Sequence, residues 1–372
     1  MAAYRVDPDI GVASTLPGSY YADRAAWEAA KEGVFGRTWQ WLGDLRDVGE
    51  RRSVSPRVLL PAFLDEPLLL ARDDGGVLRC MSNVCTHRGN ILVRDAGPAD
   101  GIRCGYHSRR FDLAGRMTFM PEFDGARGFP SPADDLPQVP FEAWSGHGFA
   151  SIDPVAPLDA FLGDVARGMR SLSVASFEPA PAQSREFTIR AHWALYVENY
   201  LESFHVPFVH PALNHAIDCA SLSTSCFRFS VLQVAHARAG ELAFDDAIDD
   251  RSGHRVAAYY WWVFPNLMLN FYPWGLSVNL VTPEAIDRTR VVFRSYVRDA
   301  SKLDAGAGGA LDHVEAEDEA IVEAVHRGVR SRFYSAGRYS PAREQGVHHF
   351  HRLLVEFGAW SGPPRDPLPK RM

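Results

Sequence analysis

The 372-residue sequence predicts an α+β chain of two domains, an all-β module followed by a domain built on an antiparallel sheet. Three observations carry this. A composition of 46% hydrophobic and 23% charged residues is that of an ordinary globular protein, long enough for two cores. Between Trp41 and Pro154, short β-favouring runs are broken by Gly, Pro and Asp. Beyond Pro181, strand and helix patterns alternate.

The elements follow in order. Tyr20 to Trp39 has helical spacing, with Trp27, Phe35 and Trp39 among small and charged residues, and reads as a docking helix. Strands are expected over 58–63, 67–71, 77–84 and 148–152, then a linker over 154–181 with a helix at 158–172. Further strands are expected over 185–193, 227–237, 257–264, 276–281 and 289–297. The last alternates in character and suggests one wet face. A helix over 312–331 follows. The run from Val256 to Pro283 carries no charge for longer than a bilayer needs. Its internal Pro265, Pro273 and Gly275 and its three asparagines instead argue for two buried strands turning near Pro273, with no membrane span. The expected segments are therefore 1–38 (helical), 39–155 (all-β) and 156–372 (α+β).

The formal charge of -7 argues against a polyanionic partner such as nucleic acid. Met1 to Val12 has neither the basic nor the apolar region of a signal peptide. The five cysteines are odd in number and form no secreted disulfide framework, so a cytoplasmic location is expected.

The strongest chemical signal is Cys85-Thr86-His87, sixteen intervening residues, then Cys104-Gly105-Tyr106-His107. Each arm offers one thiolate and one imidazole. A Cys₂His₂ zinc site usually pairs like with like in each arm, whereas mixed arms suit a two-iron, two-sulfide cluster. In that arrangement Cys85 and Cys104 hold one iron and His87 and His107 the other, and the neutral imidazoles raise the potential.

A second signal lies in 198–210, where His205 and His210 sit in an apolar, aromatic run. Five residues rotate a helix by roughly 140°, so the two meet on one metal only if the helix is distorted, and Pro207 supplies a distortion. Such a pair suits Fe(II), Zn(II) or Cu(II), and packed histidines on a kinked helix are the bland alternative. A two-histidine, one-carboxylate triad needs one more ligand. Glu315, Glu317, Asp318 and Glu319 compete. On a helix, Val314, Ile321, Val322, Val325 and Val329 define an apolar face with Asp318 near its centre, where a lone carboxylate is expensive unless it binds a charge. The other three read as a solvated face.

The two arms together with Asn199, Glu202, His205 and His210 resemble the catalytic α subunit of a Rieske non-haem iron oxygenase, a likeness reaching from the helix near Trp27 to the segment 344–351. Departures are Gly105 where the family usually has Pro, and Ser108-Arg109 where it has Gly-Trp. The resemblance implies a Rieske domain followed by a helix-grip domain with a curved antiparallel sheet, and places the family's carboxylate ligand at Asp318. It implies that Glu202, usually Asp, bridges an iron-ligating histidine to a cluster histidine of the neighbouring subunit, with Asn199 near the iron. The partners expected are a flavin- or ferredoxin-type reductase that draws on NAD(P)H, a small-molecule substrate, O₂, and copies of the chain in a ring, a trimer. Glu at the bridging position resembles the carnitine-oxygenase and betaine-demethylase branch, so oxidation of a quaternary or methylated amine is expected. The alternatives are aromatic-acid hydroxylation, a Rieske electron carrier, and a non-catalytic ligand-binding module. Tyr259, Tyr260, Trp261, Trp262, Phe264, Phe271, Tyr272 and Trp274 supply material for a cation-binding cage or for plain core. Gly306 to Gly309 reads as a flexible turn rather than a nucleotide loop, and His348, His349 and His351 as packed side chains.

Overall fold

The structure, a computed structural model, describes residues 4–245, 254–309 and 311–358. The expected segment ends at 1 and 372 lie outside these. Two compact units result, residues 36–155 and residues 4–35 with 156–358.

The first unit carries ten strands: β1 (Gln40–Asp44), β2 (Ser53–Leu59), β3 (Glu66–Arg72), β4 (Leu78–Ser82), β5 (Gly97–Pro98), β6 (Ile102–Arg103), β7 (Arg110–Phe111), β8 (Met117–Phe119), β9 (Phe141–Trp144) and β10 (His147–Ala150). They form three antiparallel sheets, ordered β1-β10-β9, β4-β3-β2-β5 and β6-β7-β8. The expected strand at 58–63 is corrected: β2 stops at Leu59, because Leu60 (φ 47°) and Ala62 (φ 65°) turn the chain through the left-handed region. Cys85, Cys104, Ile102, Phe111 and Leu136 share a small core that roots both ligand arms.

The second unit opens with a 3₁₀ turn (Gly18–Ala22), α1 (Arg24–Ala30) and a π-helical turn (Lys31–Phe35), so the docking helix is broken and ends before Trp39. Asp23 caps α1 by accepting from the Ala25 and Ala26 amides. The remaining helices are α2 (Asp159–Gly168), α3 (Trp193–Tyr200), α4 (Val206–Val209), α5 (Pro211–Ala216), α6 (Leu311–Val329) and α7 (Gln345–Gly358). The strands are β11 (Glu178–Pro179), β12 (Arg185–Ile189), β13 (Ser223–Cys226), β14 (Ser230–His236), β15 (Val256–Val263), β16 (Leu267–Tyr272), β17 (Gly275–Ala285) and β18 (Arg288–Val297). They build one antiparallel eight-stranded sheet, ordered β11-β18-β17-β16-β15-β14-β13, with β12 also on β18.

Three expectations change here. Val256 to Pro283 makes three strands rather than two, since the chain also turns at Pro265 and Asn266. The strand over 185–193 ends at Ile189, and Trp193 begins α3 instead. The wet face of β18 is realised only in part: Arg290 and Arg294 on that side are half-buried and pair with Glu186, while Val292 and Tyr296 beside them are buried. β18 is an interior strand flanked by β17 and by β11 and β12. Among the described residues, no helix is long and apolar enough to cross a membrane. Gly306–Gly308 is a 3₁₀ turn packed against the sheet, with the Trp274 indole donating to the Gly308 carbonyl at 3.2 Å.

One face of this sheet carries a polar rung. Register places Gln233, Tyr260, Asn270, Ser277 and Ser295 opposite one another across five strands. The rung holds the end of α3, because Tyr200 Oη donates to Asn270 Oδ1 at 2.5 Å and Gln233 Nε2 donates to the Tyr200 carbonyl at 2.8 Å. Ser203 Oγ donates to Gln233 Oε1 at 2.8 Å and pins the turn that follows. These buried groups are satisfied only in this arrangement.

Candidate metal centres

The segment 198–210 is not one kinked helix. α3 ends at Tyr200, Ser203 takes φ 43°, and His205 begins a new short helix in which Pro207 occupies the first turn, where a missing amide hydrogen costs nothing. The break therefore precedes Pro207, which restarts the helix. Glu202 holds the turn by accepting from the Phe204 amide and, at 3.1 Å, from the His205 amide.

This break brings His205 and His210 together. Their Nε2 atoms are 3.1 Å apart, and Asp318 Oδ1 lies 3.0 Å from His210 Nε2 and 3.4 Å from His205 Nε2. Ligand atoms from all three fall within 4.8 Å of one another. The Nδ1 sides are committed elsewhere: His205 Nδ1 donates to Glu202 Oε1 at 2.6 Å and His210 Nδ1 to Glu317 Oε2 at 2.7 Å. With each proton on Nδ1, two lone pairs face one another at 3.1 Å. That arrangement is repulsive until a cation lies between them, so the donor set fits a divalent metal such as Fe(II). Proton affinities show the same demand for positive charge, a proton taking the place that the metal would fill. Burial opposes a charged His205 imidazole, yet the Asp318 and Glu202 carboxylates lift it to about 9. Burial would likewise raise Asp318, but the His205 and His210 imidazoles hold it down at about 2. Asn199 Nδ2 donates to Asp318 Oδ1 at 2.6 Å and fixes the carboxylate's rotation.

The stripe Val314, Ile321, Val322, Val325 and Val329 faces the core only in part, with Val322 and Val329 buried. Ile321 and Val325 are 38% and 42% exposed, while Glu315 is buried, accepting from Tyr196 Oη at 2.7 Å. Burial pushes its carboxyl up to about 8. Glu317, set aside as solvated, holds His210. No sequence signal marked it, because the pairing of α3 with α6, in which Tyr196 meets Glu315 and Asn199 meets Asp318 one turn apart, is a tertiary contact. His351 lies 3.1 Å from Glu198 and 2.6 Å from Tyr339 Oη, and His348 2.7 Å from the Asp7 carbonyl, so these histidines pack as expected. His192 caps α3 by accepting from the Ala194 amide at 3.2 Å.

In the first unit the two arms converge. Cys85 and Cys104 are buried, and the His87 and His107 rings are 4.8 Å apart. Both Nδ1 atoms are buried without a hydrogen-bond partner. Two buried thiols beside two orphaned imidazole nitrogens match the donors of a [2Fe-2S] cluster of the mixed type. The thiols differ: burial raises Cys85, whereas for Cys104 burial is outweighed by the Tyr106 and His107 amides and its pKa is lowered. Phe123 packs edge-on against His87, and the exposed Tyr106 lies against His107 with ring centres 3.7 Å apart. Arg109, at the departure from Gly-Trp, is buried.

Both units match families of known proteins. A Rieske [2Fe-2S] domain matches residues 38–131, and the catalytic domain of ring-hydroxylating α subunits matches 178–359. Choline monooxygenase of Arabidopsis thaliana is 29% identical over 367 residues, covering 94% of this chain and 84% of that protein. The carnitine monooxygenase oxygenase subunit of Escherichia coli K12 is 27% identical over 362 residues, covering 92% and 93%. Among solved structures, a quaternary ammonium Rieske monooxygenase in complex with L-carnitine superposes with a TM-score of 0.75 at 22% identity, covering 95% of this chain and 100% of that one. Naphthalene 1,2-dioxygenase from Rhodococcus sp. does so at 0.70 and 18%, covering 92% and 93%. At these identities the structural likenesses speak to the fold.

Proposed function

Because this chain belongs to the Rieske non-haem iron oxygenases, joining a Rieske domain to a ring-hydroxylating catalytic domain, we propose that it monooxygenates a small quaternary or methylated ammonium compound. The observation that carries the reading is the convergence of His205, His210 and Asp318, each oriented by a further side chain. A pure electron carrier leaves that triad without a use.

Bound by these three residues, Fe(II) would supply oxygen activation, and a cluster bound by Cys85, His87, Cys104 and His107 would supply electrons. The chain's own groups do the rest. Glu202 and Glu317 keep the His205 and His210 protons on Nδ1, so that both Nε2 lone pairs face the metal. Asn199 orients Asp318. Glu202 also precedes the exposed Phe204 and Phe208 in the chain, where a cluster histidine of a second copy would donate to it. We assign a closed ring, a trimer, on that basis. Rieske oxygenase α subunits work with a reductase and a small substrate; a flavin- or ferredoxin-type reductase and a cytoplasmic setting complete the reading.

The substrate class rests on the named relatives and on aromatic groups packed against the segments that carry the two histidines. Tyr260 and Tyr272 meet edge-on at 5.9 Å, Tyr272 stacks on Trp274 at 5.3 Å, and Tyr272 and Trp274 pack in one core with Val206, Ala216 and Ile217 from the segments carrying the two histidines. Electron-rich ring faces attract a quaternary ammonium without a counter-charge. Trp261, Trp262 and Phe350 belong to the surrounding core.

The test is oxygen uptake by the reconstituted protein with a reductase. Choline, carnitine and γ-butyrobetaine are offered against aromatic acids. Uptake confined to the ammonium compounds supports the reading; uptake confined to the aromatic acids overturns it.

A further inference from the structure

Arg109 is 2% exposed, and a guanidinium buried that deeply is costly unless its donors are matched. Its Nη1 donates to Thr86 Oγ1 at 2.7 Å and its Nη2 to Asp134 Oδ1 at 2.8 Å, with the Phe129 ring 5.4 Å from the guanidinium carbon. Thr86 stands between Cys85 and His87 in the first arm and donates to the Asp134 carbonyl at 2.7 Å. In the second arm the Cys104 amide donates to the Arg109 carbonyl at 2.8 Å. One residue therefore ties both arms, by its backbone to Cys104 and by its side chain to Thr86. Asp134 is itself held by the Ser131 amide and hydroxyl at 2.9 and 3.0 Å.

We propose that Arg109 is a positioning residue of the iron–sulfur site, which sets the spacing of the two arms and places a buried positive charge that raises the cluster's reduction potential. The proposal rests on the assignment of Cys85, His87, Cys104 and His107 to the cluster. Reduction adds negative charge to the cluster, and a nearby cation in a poorly polarisable interior favours that state. Asp134 opposes it. The two groups share one hydrogen bond but carry opposite charge, so neutralising each in turn separates an electrostatic role from a structural one.

Full-length protein, reconstituted anaerobically, is titrated redox-potentiometrically and followed by the paramagnetic signal of the reduced cluster. Arg109→Gln, which keeps a donor for Thr86, should lower the midpoint potential. Asp134→Asn, which keeps an acceptor for Arg109, should raise it. Arg109→Lys keeps the charge but loses the fork, and should retain a potential near that of the unmutated chain while releasing its cluster faster. Potentials that stay unmoved, or that shift in the same direction in the Gln and Asn variants, overturn the proposal. If Arg109→Gln does not assemble, the Asn and Lys variants decide: no rise in the first, or a clear fall in the second, overturns it. An unmutated chain without the signal would overturn the cluster assignment itself, a result distinct from an intact signal with potentials that do not separate.

Discussion

Glu317 touches no metal position, yet it decides which nitrogen His210 presents. Its carboxylate accepts from His210 Nδ1 at 2.7 Å, and partners of this kind typically contribute 10–100-fold to metal affinity. Glu317→Gln should therefore weaken iron retention by roughly that factor, measured by competition with a chelator, while leaving the cluster's visible spectrum unchanged. Glu315, one turn earlier on α6, makes a different prediction. Burial lifts its folded-state pKa from 4.5 to about 8, so the folded chain keeps a proton that the unfolded chain releases above its own pKa. Its contribution is fully present below about pH 4.5 and is lost as pH rises towards 8, with a slope approaching about 1.4 kcal/mol per pH unit. Glu315→Gln should remove this slope, and denaturant melts of both proteins across that window measure it. Neither role was legible in the sequence. Helical periodicity singled out Asp318, which the structure brings to His205 and His210, but the stripe behind that reading is partly exposed, and the buried face is set by α3, whose Tyr196 and Asn199 meet Glu315 and Asp318.

At the scale of elements, the polar rung explains why the chain breaks at Ser203. Gln233 supplies a donor to the Tyr200 carbonyl and an acceptor to Ser203, both part-buried. Gln233→Ala leaves both unpaired and should cost about 1–3 kcal/mol, with lowered iron content as the second readout. Stability loss with iron content unchanged would mean that the rung does not position His205. α7 closes over the same turn: a Cβ on Gly346 would lie 2.6 Å from the Leu201 carbonyl, so only glycine permits this approach. The sequence showed that the histidine pair needed a distortion and offered Pro207 as its source. What it could not show was the sheet beneath, because Gln233, Asn270 and Ser277 become neighbours only through strand register. The third strand over 267–272 was hidden for a related reason, since a fully buried strand has no alternation to announce it.

At the scale of the molecule, the two donor sets differ in how they are encoded. The cluster arms are local motifs, each supplying two ligands within a few residues, and both were plain from spacing. The triad joins the two ends of α4 to the middle of α6, so its third member comes beside the histidines only through tertiary structure. The central claim is that one chain holds both centres. Iron and acid-labile sulfide, counted per chain in anaerobically reconstituted wild-type protein and in Asp318→Ala, test it most directly. A [2Fe-2S] cluster with one mononuclear iron predicts about three irons and two sulfides, falling to about two irons and two sulfides in the variant with the cluster's spectrum intact. Zinc in place of the iron–sulfur cluster, or an iron count that Asp318→Ala leaves unchanged, would contradict it.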